Sequence, residues 1–335
     1  MFDELIAKLK ANPRRKIVFT EGNDPRILEA TAKLNACGFL DVVLVGNPDE
    51  VRKVAQENNF QINGVEILDP ETYPQMDAMV EKMFELRKGK MDREQCASLL
   101  KKGNYFGTML VVMGVADCLL GGATYTTADT VRPALQLVKT RPGAKLVSSA
   151  FLMTRPAAQG GSEVLVMGDC AINIKPTEDE LAVIGVQVAN CATVFGVDPR
   201  IAFLSYSTKG SGAGEDVDKV RNACEKAQKF RPDLKIDGEL QFDAAVSPTV
   251  AKTKHLEGPV GGNANTFIFH DINAGNIGYK IAKRLGGFEA VGPVLLGLNS
   301  PINDLSRGCN ADEVYKMAIV TAIQSIGVPP IYSFG

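Results

Sequence analysis

The chain has little histidine: His255 and His270 are the only two in 335 residues. No H-E-x-x-H pair occurs, and none of the seven cysteines forms a C-x-x-C. A structural zinc site is therefore not expected. The cysteines (Cys37, Cys96, Cys118, Cys170, Cys191, Cys224 and Cys309) are widely scattered and odd in number. That pattern fits reduced thiols of a cytosolic enzyme better than a disulfide framework. No long basic block is present, and 37 basic residues against 39 acidic ones leave a net charge of -2. Nucleic acid and anionic membrane are poor partners for such a surface, although a few converging arginines suffice for a small anion. The start, MFDELIAKLKANPRRK, carries acidic residues and no long apolar run, unlike a secretory signal. FGTMLVVMGVADCLLGG is interrupted too soon to span a bilayer. A soluble, cytoplasmic protein is expected.

What is present is an ordinary apolar fraction, 45%, in a chain longer than one core usually sustains, so two domains are expected. KIVFT (16–20), DVVLVG (41–46) and VEILD (65–69) read as buried strands. Helical spacing fills Pro25 to Cys37, with Gly38 as its stop, and PDEVRKVAQENN follows the same pattern. Tyr73 to Lys102 reads as two helices broken near Gly89. ADCLLGG reads as a strand before the helix TTADTVRPALQLVKT. This βαβα rhythm predicts a doubly wound α/β sheet. Around 140–165 the alternation breaks, and LVSSAFLM and EVLVMGD look like adjacent strands of an antiparallel or crossover region. Alternation then resumes through EDELAVIGVQVANCATVF, IAFLSYS, DVDKVRNACEKAQKF, KIDGEL, ANTFIFHD, GNIGYKIAKRL and AVGPVLLG. The last helix is DEVYKMAIVTAIQSIG. Two α/β domains with a cleft between them are predicted.

Reactive groups crowd into one short stretch, NDLSRGCNADEVY (303–315), which holds Ser306, Arg307, Cys309, Asp312 and Glu313. A plain reading makes Asp304 or Ser306 a helix cap and Arg307 a surface charge. Cys309 reads as a small buried thiol rather than a nucleophile. Ser306 has no G-x-S-x-G elbow around it. A second feature joins strand to helix in STKGSGAGEDVDK, through Gly210, Gly212 and Gly214. Its backbone N–H groups, with Ser207, Thr208, Lys209, Gly210 and Ser211, suit an anion cradle, although the spacing is neither a Walker loop nor G-x-G-x-x-G. A flexible strand–helix loop is the alternative. Arg26, Arg87, Arg132 and Arg307 sit in settings unlike solvated faces; together they would bind a phosphate bidentately.

NDLSRGC followed by carboxylates, LSYSTKGS, PDLKIDGELQFDAA, DINAGNIGYKIAKRL and TTADTVRPALQ together resemble the phosphate acetyltransferase family along essentially the whole chain. The resemblance implies reversible acetyl transfer between acetyl phosphate and coenzyme A, with CoA a substrate and no cofactor or metal. It implies two α/β domains similar to those of the isocitrate and isopropylmalate dehydrogenases, an active-site cleft between them, and a homodimer. The chain's end is then expected to return to the first domain, giving 1–145 plus 303–335 and a second domain of 146–302. Ser306 and Arg307 match the family's transition-state pair. Arg87 and Arg132 match arginines at the phosphate or CoA end, and Arg26 matches one near CoA. The family's base is an aspartate where this chain has Glu313, so Glu313 is the expected base and its neighbour Asp312 the alternative. His270 also departs, replacing a usual proline, and a structural role is expected for it. Phosphate butyryltransferase is the nearest rival enzyme, an oxidoreductase on a similar fold another, and a non-catalytic acyl-CoA-sensing domain a third.

Overall fold

The structure, a computed structural model, describes residues 1–327. Residues 328–335, within the segment expected to return to the first domain, lie outside the described residues. In chain order the strands are β1 (Arg15–Phe19), β2 (Leu40–Val45), β3 (Glu66–Leu68), β4 (Cys118–Gly121), β5 (Ser148–Pro156) and β6 (Ser162–Gly168). β7 (Arg200–Leu204), β8 (Lys235–Leu240), β9 (Thr266–Ile268), β10 (Glu289–Leu296) and β11 (Ile302–Asp304) follow. The described chain divides into two compact units, one of Met1–Thr140 with the chain from Leu298 onward, the other of Arg141–Gly297.

The first unit holds a five-stranded sheet in the order β11-β4-β1-β2-β3, parallel throughout. Ile17, Val18 and Phe19 of β1 and Val43 and Leu44 of β2 are fully buried, as strands covered on both faces must be. The covering helices begin and end on sequence signals. Pro25–Cys37 is capped by Asp24, whose side chain accepts from Arg26 N, and stops at Gly38 with φ 65°. The apolar stretch before β4 is a buried helix, Gly103–Val112. It presses so closely on β1 that a Cβ at Gly103 would sit 2.5 Å from Thr20 O. Register places Phe19 beside Leu120, and Gly121 beside Asp304. The loops after β1, β4 and β11 therefore leave the sheet at its carboxyl edge, where such sheets bind ligands.

The second unit holds a six-stranded sheet, β10-β5-β6-β9-β7-β8. Its core pairings are parallel (β6–β9, β9–β7, β7–β8), while β10–β5 and β5–β6 are antiparallel. The break in alternation at 140–165 thus marks an antiparallel edge added to a parallel core. Phe151, Met153, Met167, Leu204, Phe267 and Phe288 form a core cluster, with Tyr279 of the helix Ile272–Leu285 stacked on Phe151 at 4.0 Å between ring centres. The fold is α/β in both units.

Candidate functional site

Within the first unit, β11 runs into a turn that exposes Ser306, Arg307 and Gly308 and buries Cys309. Gly308 N–H donates to Ser306 Oγ at 3.2 Å and Cys309 N–H to Ser306 O at 2.9 Å, so the turn is closed by its own backbone. Among the described residues no side-chain hydrogen bond or ion pair holds the Arg307 guanidinium. The helix Ala311–Ile326 then begins at a cap that is neither Asp304 nor Ser306. Asn310 caps it, accepting from Glu313 N at 2.9 Å while Glu313 Oε2 accepts from Asn310 N at 3.1 Å. Burial pushes the Cys309 thiol up to about 11; the nearby Arg26 pulls it down and Glu313 pushes it further up. At neutral pH it is a protonated, packed thiol.

The two neighbouring carboxylates part company. Glu313 is half-buried and folds back to the helix start, accepting from Asn310 N–H. Asp312 is exposed and pairs with Lys316 at 2.7 Å.

Arg26 is engaged differently from the expected CoA contact. Its Nε and Nη2 grip Asp24 at 3.0 and 2.7 Å, Nη2 also donates to Ala123 O at 2.9 Å, and Nη1 donates to Arg307 O at 2.8 Å and Cys309 O at 3.2 Å. A guanidinium has five N–H groups, and these bonds use them all. Burial pushes the Asp24 carboxyl up, but the Arg26 side chain and N–H outweigh it and hold it below its ordinary value. Arg26 thus braces the Ser306–Cys309 turn against the loop after β4.

Arg87 ends the helix Met76–Arg87, and its Nε is buried without a partner. Arg132 is exposed on the short helix Thr127–Pro133. Burial raises the pKa of the Tyr105 phenol, and the charges of Arg132 and Arg87 both act to lower it.

Behind the turn is a network the sequence did not announce. Glu21, 8% exposed, accepts from Gly122 N at 3.1 Å, Thr124 N at 3.0 Å, and the hydroxyls of Thr20 and Thr124. Burial raises its pKa above the ordinary value. Asp304 is buried as well and accepts from two threonine hydroxyls. Glycine at 122 makes this possible: its φ is +100°, and a Cβ there would lie 2.3 Å from Asp304 Oδ1.

In the second unit, the loop after β7 has the shape of an anion cradle, but an internal anion fills it. Glu239, 1% exposed, accepts from Gly210 N at 2.7 Å and Ser207 Oγ at 3.0 Å, and pairs with Arg221 at 3.1 Å. Burial pushes its carboxyl up, but the Gly210 N–H and Arg221 outweigh it and the pKa is lowered. Lys209 Nζ bonds Asp237 at 2.6 Å, Thr208 Oγ1 bonds Gln241 at 3.0 Å, and Ser211 Oγ accepts from Thr208 N at 2.9 Å. Ser207, Thr208, Lys209, Gly210 and Ser211, expected to form the cradle, thus turn most of their polar groups inward in this structure.

Residues 1–322 match the family model described as phosphate acetyl/butaryl transferase. The phosphate acetyltransferase of Bacillus subtilis (strain 168) is 51% identical over 311 residues, covering 93% of this chain and 95% of that protein. The chain belongs to this family. Among solved structures, a phosphotransacetylase from Streptococcus pyogenes is 49% identical with a TM-score of 0.92, covering 97% of this chain and 99% of that one. A phosphotransacetylase from Staphylococcus aureus is 45% identical with a TM-score of 0.89 and the same coverage. Within the family fold, Glu21 and Glu239 went unread, and Asp304 was read only as a candidate helix cap, because a buried carboxylate bonded to hydroxyls and N–H groups leaves no spacing signature. Only the position of Asp304, two residues before Ser306, hinted at it.

Proposed function

We propose that this chain is a phosphate acetyltransferase, moving acetyl reversibly between acetyl phosphate and coenzyme A by thiolate attack in a ternary complex. The observation that carries the reading is an exposed Ser306–Arg307 pair on a turn braced from behind, with no side-chain partner for the guanidinium among the described residues. A CoA thiol has a pKa of about 8.5, so little of it is thiolate at neutral pH. Glu313 takes the thiol proton as sulfur bonds the acetyl carbon. The carbonyl becomes an oxyanion, to which Ser306 Oγ–H and the Arg307 guanidinium donate. The carbon–oxygen bond to phosphorus then breaks, and phosphate leaves with the bonding electrons. Arg87 and Arg132 bind phosphate oxygens of acetyl phosphate or CoA. In the second unit, the exposed edge of the loop, Lys209, Gly210 and Ser211, contributes to CoA binding, with Ser207 and Thr208 buried beneath it and holding its shape.

CoA is a substrate, and no cofactor is invoked. Among the described residues no helix is long and apolar enough to cross a membrane. Cytoplasmic location and a homodimer complete the proposal. Supporting the dimer, the helix Ile272–Leu285 exposes Ile277, Ile281 and Leu285 along one face, beside an apolar groove of about 800 Å³ in the second unit.

The test is thioester formation from acetyl phosphate and CoA by the purified chain, with butyryl phosphate assayed alongside. Acetyl phosphate should be the better substrate. Arg307→Ala should lose about 10²–10³ in kcat, the usual cost of one oxyanion donor, with an unchanged melting temperature because its side chain holds nothing in place. Near-normal turnover by a folded Arg307→Ala protein would remove Arg307 from the mechanism.

A further inference from the structure

Asp304 takes part in none of these steps, yet it is the buried carboxylate nearest in sequence to Ser306. Its side chain sits in a residue 2% exposed, and both carboxylate oxygens are taken by hydroxyls of one helix. Thr127 Oγ1 donates to Oδ2 at 2.6 Å and Thr130 Oγ1 to Oδ1 at 2.5 Å. Residues three apart share a helix face, so these two bonds set the rotation of Thr127–Pro133. Arg132 is exposed two residues further along the same helix. On the other side, Leu305 N–H donates to Gly121 O at 2.7 Å and the chain enters the Ser306–Arg307 turn.

No cation pairs with Asp304 among the described residues. The groups facing it are the Glu21 carboxylate at the end of β1 and the Tyr125 phenol, whose oxygen is 2.7 Å from Thr20 Oγ1. Burial and the Glu21 charge push the Asp304 carboxyl up to about 6, against the pull of the two hydroxyls. It is therefore ionised at neutral pH and accepts at both oxygens, which fixes the direction of both hydrogen bonds. A buried, unpaired carboxylate is costly, and packing alone gives no reason for one here.

We propose that Asp304 is a positioning residue, whose carboxylate clasps the helix of Arg132 to the strand that delivers Ser306 and Arg307. The anion-binding guanidinium and the transition-state pair then keep one mutual geometry through substrate exchange. The proposal rests on the phosphate acetyltransferase reading and adds to it how two of its parts are held in register.

The test is steady-state kinetics on the full chain, with Thr127→Val, Thr127→Ser, Arg132→Gln and the Thr127→Val/Arg132→Gln double variant. Thr127 is exposed, so its valine variant removes one hydroxyl without threatening the core. Thr127→Val should lower kcat/KM about tenfold, within the range that an ångström-scale misplacement produces. Thr127→Ser, which keeps the hydroxyl, should return to within about twofold of the parent. In the Arg132→Gln background the Thr127→Val effect should shrink to about twofold or less, because no guanidinium remains to be positioned. Full additivity of the two changes would overturn the clasp, as would an unaffected Thr127→Val protein. An inactive parent chain overturns the transferase reading and this one with it, whereas an active parent with additive variants overturns only the clasp.

Discussion

Glu313 and Asp312 are adjacent in sequence and are held differently. Asp312 is exposed and pairs with Lys316, and Glu313 closes the capping box on Asn310 N–H. Glutamine caps as glutamate does, so Glu313→Gln keeps the helix start and removes only the basicity. It should lower kcat by about 10²–10⁴, the usual worth of a positioned base, and flatten the rise of kcat on the acidic side of the pH profile. Asp312→Asn should stay within about twofold of the parent, the loss of one exposed i,i+4 pair being minor. Equal losses in the two variants would show that this helix start was assigned the wrong base. The helix start itself was legible, because N-A-D-E is a capping box in plain sequence, although it begins at Asn310 rather than at Asp304 or Ser306.

Elements were read well where a period or a cap declares them. Pro25–Cys37, its Gly38 stop, and the break between Met76–Arg87 and Arg93–Leu100 all follow from local chemistry. β11 escaped because three residues, Ile302–Asp304, carry no period, and its strand character comes only from pairing with β4. The consequence reaches function, since β11 is the element that aims the Ser306–Arg307 turn. Arg26 is a second case in which an element's surroundings override its sequence setting. It stands at the start of a helix and its five N–H groups tie that helix cap, the loop after β4 and the turn after β11 into one corner. A lysine offers three donors from one point and cannot reproduce that spread. Arg26→Lys should therefore lower kcat and destabilise the fold by about 1–3 kcal/mol, as lost charge-assisted bonds do, while KM for CoA moves little. A selective rise in KM for CoA, with an unchanged melting temperature, would return Arg26 to direct CoA binding.

At the scale of the whole molecule, both units place glycine loops where strands end, and both fill them with their own carboxylates, Glu21 in one and Glu239 in the other. Glycine spacing announces that a loop can bind an anion and is silent on whether that anion belongs to the chain. Exposed apolar surface is the other whole-molecule signal that sequence pattern conceals, because GNIGYKIAKRL reads simply as an amphipathic helix. In the fold, Tyr279 of that helix turns inward, while Ile277, Ile281 and Leu285 are 58%, 53% and 84% exposed. Phe242 and Val246 add further exposed apolar area in the same unit and line the adjoining groove. Exposed apolar residues of this kind, a ridge beside a groove on one molecule, would suit a two-fold, self-complementary contact. The homodimer reading therefore predicts that Ile281→Lys with Leu285→Lys yields a folded monomer by sedimentation, where the parent sediments as a dimer. Stable contacts bury about 800 Å² per partner, and two charges placed within such an area lack any countercharge supplied by the apolar ridge. A parent that sediments as a monomer, or a double variant that remains dimeric, would show that this face serves no self-association.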